Sequence, residues 1–200
     1  MTAITASMVS ELRARTGAGI MDCKNALGAV GGDLEAAVDH LRKTGVAKAA
    51  KKAGRTTGEG LVHSYIHTGG KIGVLIEVNC ETDFVARNEE FQKLVHDLAM
   101  HVAAAGPLAV GRDDMPADAV ERERNLFATQ AAESGKPANV IEKMVEGKMA
   151  KYYEENALLE QAFVKDPDKK VEEMIREAIT KMGENIKVSR FVRFELGQED

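Results

Sequence analysis

Tryptophan is absent from this 200-residue chain, and the other large aromatics are few, three Tyr and six Phe. That scarcity argues against the stacking platforms that bind single-stranded nucleic acid. Cysteine is scarce too. Cys23 and Cys80 make no disulfide framework, and neither belongs to a C-x-x-C or H-x-x-x-H spacing that would hold zinc. No apolar run approaches the length of a membrane span, and the start Met1-Thr2-Ala3-Ile4 lacks the charged and apolar regions of a secretory leader. The expectation is a chain that stays in a reducing cytoplasm and has no membrane contact. Enzyme signatures are missing as well. Thr16-Gly17-Ala18-Gly19 and Gly58-Glu59-Gly60 do not follow a strand and open a phosphate-binding helix, so they read as turns. There is no G-x-S-x-G, and neither cysteine has a nucleophile's local signature. The five histidines are scattered: His96 and His101 are wrongly spaced for a helical metal pair, and His63 and His67 read as one half-exposed strand face. No catalytic constellation, cofactor site or metal site can be assembled, and the chain reads as a non-enzyme.

What is present is an ordinary globular composition, 44% hydrophobic and 30% charged, with a formal charge of −5 that opposes a nucleic-acid binder without excluding a local basic patch. Residues 4–43 read as three short helices. Thr5 or Ser7 caps the first, whose Met8, Val9 and Leu12 share a face and which Gly17 stops. Ile20, Cys23, Leu27 and Val30 follow at helical spacing. Asp33 caps a third helix bearing Leu34, Ala37, Val38 and Leu41. Residues 42–59 then carry Arg42, Lys43, Lys48, Lys51, Lys52 and Arg55 among alanines and glycines, a helical extension or linker that is either solvated or a surface for an anionic partner.

Strand patterns begin next. Gly60–Thr68 and Lys71–Cys80 flank Thr68-Gly69-Gly70-Lys71, a strong hairpin signal, with Ile72, Val74, Ile76 and Val78 on one face. A third strand comes from the far end of the chain, where Ile186, Val188, Val192, Phe194 and Leu196 alternate with mostly polar residues. Helices are expected between: one containing Phe91, Leu94, Val95, Leu98 and Val102 and ending near Gly106-Pro107, and others over roughly 117–133, 140–153 and 169–182. Strands at both ends with helices between imply an α+β fold, a small antiparallel sheet covered by helices. The expected domains are 1–54, the helical unit with its basic linker, and 55–200, the α+β core.

The most telling stretch is Val78-Asn79-Cys80-Glu81-Thr82-Asp83-Phe84-Val85-Ala86-Arg87-Asn88-Glu89. It joins an apolar strand to an amphipathic helix and carries an acid next to a large aromatic. Phe84 has two readings. It shares helical spacing with Phe91, Leu94 and Leu98 and would then be core. Alternatively, Asn88-Glu89-Glu90 starts the helix and leaves Thr82–Arg87 as a connector with Phe84 exposed. Met21 likewise shares its side with Lys24 and Asn25, away from an expected buried face of Ile20, Cys23 and Leu27, and is either an adaptable contact or partly covered.

Residues Thr5–Arg13, Thr16–Gly19 with Met21–Lys24, and Val78–Arg87 resemble the signature segments of the elongation factor Ts family, and Ile186–Phe191 resembles the family's last core strand. The resemblance is loose over the helical middle. It implies a guanine-nucleotide exchange factor for the translation GTPase EF-Tu, met in its nucleotide-free and GDP forms. It implies a ubiquitin-associated-like N-terminal domain docking through Arg13, Ile20 and Met21, with Ile20 where many members have another Met. It implies further that Thr82, Asp83, Phe84 and Val85 intrude near the nucleotide site and dislodge Mg²⁺. The single core half resembles the compact members that work as dimers, so a homodimer is expected. The rival reading is a nucleic-acid- or ribosome-associated module using the basic residues 42–55.

Overall fold

The computed structural model describes residues 3–198. Met1 and Thr2, part of the stretch read for a leader, and Glu199 and Asp200, the end of the second expected domain, lie outside the described residues. Helices α1 (Ala6–Thr16), α2 (Ile20–Ala29) and α3 (Leu34–Lys52) are followed by strands β1 (Glu59–Ile66) and β2 (Ile72–Cys80). Then come α4 (Asp83–Ala86), α5 (Glu89–Ala105), α6 (Ala117–Ala132), α7 (Ala138–Asn156), β3 (Ala162–Phe163), β4 (Asp166–Lys170), α8 (Val171–Met182) and β5 (Lys187–Glu195). The chain divides into two compact units, one of Met1–Gly60, Asn79–Phe91 and Ile175–Lys187, the other of Leu61–Val78, Gln92–Met174 and Val188–Asp200.

In the first unit the caps act as the sequence pattern implies. The Thr5 hydroxyl accepts the Met8 N–H, and the Asp33 carboxylate accepts the Ala36 N–H at 2.9 Å, each satisfying a helix-end donor that has no partner within the helix. Leu12, Cys23, Ala26, Leu27 and Ala37 form the core, with Met8, Val9, Leu34, Val38 and Leu41 packed against it. The basic stretch is a helical extension as far as Lys52, because its alanines and lysines let α3 continue for 19 residues.

In the second unit a glycine turn joins the central strand to its neighbour. Gly69 and Gly70 both have positive φ, and the His67 N–H donates to the Ile72 carbonyl. Strand order is β1-β2-β5, and the Leu196 N–H donating to Lys71 O sets the end of β5 beside the start of β2, as an antiparallel pair requires. Val74, Ile76 and Val78 are buried on one face, and α5 lies over that side: His96 stacks edge-on with Tyr65, and Arg193 Nε donates to Ala103 O. One expectation fails here. Val192 and Phe194 do not share the buried side with Ile186 and Val188. Ser189 and Arg190 are exposed in succession, so the in–out alternation slips by one residue and turns Val192 and Phe194 (64% exposed) to the bare face.

Helices α6 and α7 form a hairpin around Ala131, Val145 and Met149. The small β3–β4 ladder was not legible as strand, since Asp166-Pro167-Asp168 carries loop chemistry. Behind it His101 is fully buried. Its Nδ1 accepts the Val164 N–H at 3.2 Å, so its proton sits on Nε2 and is donated to Gln161 Oε1 at 2.9 Å.

Candidate functional site

The corner between α1 and α2 sets the first group of candidate residues. Gly17 takes a left-handed φ of 67° that an L side chain resists, and its N–H closes α1 onto Arg13 O at 2.8 Å. The Thr16 hydroxyl donates to Leu12 O at 2.7 Å and accepts the Ala18 N–H, so the reversal is held from inside. Cys23, Ala26 and Leu27 point into the core at i, i+3 and i+4. Ile20 does not join them as expected. It opens the helix one turn before the packed stretch and is 57% exposed, beside Met21 at 64%. Ile20 and Arg13 line one groove of about 380 Å³, with Ile4, Val9 and Lys24 among its other walls. Two neighbouring apolar side chains therefore face solvent, next to two cations.

The second group sits at the end of β2. Thr82 is extended (φ −131°, ψ 156°) and its hydroxyl accepts the Val85 N–H, starting the single helical turn α4. The stretch read as a connector is thus one turn of helix. At about 100° per residue, positions two apart fall on opposite sides. Ala86 turns inward and is buried, whereas Phe84 projects outward, 82% exposed. Of the two readings of Phe84, the exposed one is correct. Asp83 pairs with Arg87 at 2.9 Å on the surface, Val85 is half-buried, and the Asn88 side chain accepts the Glu90 N–H to begin α5. Arg13, Ile20, Met21 and Thr82–Val85 all belong to the first compact unit.

One helical turn does not hold itself together, since nucleation fixes several dihedrals for one hydrogen bond. Its root is secured by residues that sequence reasoning missed. Glu184 Oε2 accepts the backbone N–H groups of Glu81 and Thr82, each at 3.0 Å, and Oε1 accepts the Thr82 hydroxyl at 2.6 Å. In return Glu81 Oε1 accepts the Asn185 N–H at 2.6 Å. The buried Asn185 amide donates to the carbonyls of Ala53 and Arg55, just past α3. No local pattern announces these partners, which lie about a hundred positions apart in the chain.

Both thiols are buried. The Cys80 thiol donates to Thr82 O at 3.2 Å, and burial, seconded by the Glu184 charge, pushes it up, so it stays protonated at neutral pH. In the second unit His63 Nε2 and His96 Nδ1 are 3.3 Å apart, and burial first, then His96, lowers the pKa of His63. Among the described residues no group of three or more His, Cys, Asp or Glu could hold a metal ion, and no helix is long and apolar enough to cross a membrane.

The result is an α+β protein in which Ile20, Met21 and Phe84 are exposed apolar side chains, the last on a turn pinned from beneath. A family model described as Elongation factor TS matches residues 34–198. A protein named Elongation factor Ts from Geobacter sulfurreducens is 60% identical over 98% of this chain and 90% of its own length. Those of the same name from Thermosipho melanesiensis and Fervidobacterium nodosum are 58% and 57% identical over 98% of this chain, covering 100% and 99% of their own lengths. The chain belongs to the elongation factor Ts family, and so to the elongation factors of protein biosynthesis.

Proposed function

We propose that this chain is a guanine-nucleotide exchange factor for EF-Tu, acting in the cytoplasm by protein binding and not by bond chemistry. The observation that carries the proposal is Phe84, a large apolar side chain almost wholly in solvent on a short turn rooted in charged hydrogen bonds. The three N-terminal helices serve as a ubiquitin-associated-like docking module, with Arg13, Ile20 and Met21 as contacts. Phe84 then enters the GTPase while Asp83 exchanges its pairing with Arg87 for groups displaced there. In the GTPase, Mg²⁺ offsets the phosphate charge, so its displacement weakens GDP. Exchange needs only that the factor bind the empty form more tightly than the loaded one, because linkage makes the weakening reciprocal. The nucleotide pool, and not the factor, sets direction.

The working form is a homodimer. The face of the sheet away from α5 presents Val62, Ile66, Leu75, Val192 and Phe194 to solvent. On the same face Arg190 Nε donates to Glu77 Oε2 at 2.8 Å. An apolar face carrying one adjacent acid and base can meet its own two-fold copy with charges complementary. The nucleic-acid reading is less well supported, since Lys48 and Arg55 are engaged by Asp22 and Glu81. Capture of EF-Tu by the immobilised chain tests the function. Excess GDP with Mg²⁺ should displace the GTPase, and capture indifferent to nucleotide would reject exchange.

A further inference from the structure

The geometry points to Glu184 as a positioning residue that aims Phe84, an inference that rests on the exchange reading above. Phe84 acts as a wedge only if its turn leaves the protein at a set angle. That angle is decided at Thr82, the extended residue from which the turn begins. Three donors converge there on a single carboxylate: the N–H groups of Glu81 and Thr82 on one oxygen, the Thr82 hydroxyl on the other. Hydrogen bonds to an ionised acceptor are stronger and more sharply directed than neutral ones. The Thr82 hydroxyl, held as donor by Glu184, is left to accept the Val85 N–H and so cap the turn. Glu184 itself is kept in place because its neighbour Asn185 is tied three ways, its N–H to Glu81 and its side-chain amide to Ala53 and Arg55. Glu184 thus holds the backbone of Glu81 and Thr82, and Glu81 that of Asn185 beside Glu184. Glu184 does not contact the partner in this scheme; it acts through Thr82 on the residue that does.

The test is stopped-flow release of fluorescent GDP from EF-Tu over a range of factor concentrations, using Glu184→Ala, Glu184→Gln, Phe84→Ala and the double variant Glu184→Ala/Phe84→Ala. Glu184→Ala, which removes both acceptor oxygens, should lower the plateau rate by about tenfold or more, while the half-saturating concentration, set by docking through Ile20 and Met21, stays near that of the parent. Glu184→Gln should restore most of the plateau, since its carbonyl still accepts both N–H groups and its amide can donate to Thr82 Oγ1. In the Phe84→Ala background Glu184→Ala should have no further effect. A normal plateau in Glu184→Ala beside a slow Phe84→Ala overturns the positioning role and leaves the exchange reading standing. Normal rates in both overturn the two together. A further loss in the double variant marks a general folding defect and overturns it as well. Should Glu184→Ala not fold, Thr82→Val, which removes only the hydroxyl contacts, carries the same test with the same split between plateau and half-saturation.

Discussion

Replacing Phe84 with Ala separates the contact surface from the fold more cleanly than any other single change. With 82% of the residue in solvent, its removal deletes little packing within this chain. Surface substitutions of that kind stay within about 0.5 kcal/mol, so the melting transition should not move appreciably. The effect on the partner is of a different size. Burying the ring in the GTPase is worth about 1.5–3 kcal/mol, which at about 1.4 kcal/mol per decade is roughly tenfold to a hundredfold in an equilibrium or rate. The assay is release of labelled GDP from EF-Tu by stopped flow, with thermal unfolding of the variant measured alongside. The expected pair is a release rate down by about tenfold to a hundredfold and unchanged unfolding. Unchanged release would refute the wedge. Slowed release with an equal loss of thermal stability would show that Phe84 supports the fold, contrary to its exposure.

Substituting Met21 with Ser, or Ile20 with Ser, should raise the half-saturating factor concentration by about tenfold while leaving the plateau rate alone; a fall in plateau instead would place these residues in the exchange step. Leu75→Glu puts a charge at the centre of the bare sheet face, and sedimentation should then report one subunit where the parent reports two; an unchanged mass removes that face as the dimer contact. Burial lowers the pKa of His101, opposed by its bond to Gln161, and its Nδ1 already accepts a backbone N–H. The unfolded state therefore takes up the proton first as pH falls. Full stability holds above the ordinary histidine value of about 6.5 and is lost below it, at up to about 1.4 kcal/mol per pH unit. Urea unfolding between neutral and mildly acid pH should show this slope in the parent and a reduced one in His101→Gln; equal slopes would mean that another group is responsible.

Much of the architecture was legible because it is written in short-range chemistry. Thr5, Gly17 and Asp33 bound helices through side-chain and left-handed caps that need no tertiary partner. The paired glycines at 69 and 70 close the hairpin by their own backbone freedom. The candidate site was legible only in outline. Ile20 satisfies the helical period as well as Cys23 does, yet as the opening residue of α2 it is 57% exposed. Val192 continues the alternation of Val188, but two successive exposed residues reverse its side. His101 was one of five scattered histidines until Gln161 and Val164 were brought to its two nitrogens.

The chain's own order of residues determined the three N-terminal helices and their caps, the glycine hairpin, the long helices that follow, and the family to which the whole belongs, but not the β3–β4 ladder or the turn α4. Those properties come from backbone sterics and from neighbours within a few positions. Only the tertiary structure decided that Phe84 faces outward and that Glu184 grips the root of its turn. Exposure depends on what lies opposite a side chain, and a carboxylate's partners depend on which distant backbone amides reach it. Neither is encoded in periodicity, because both arise only when segments about a hundred residues apart meet.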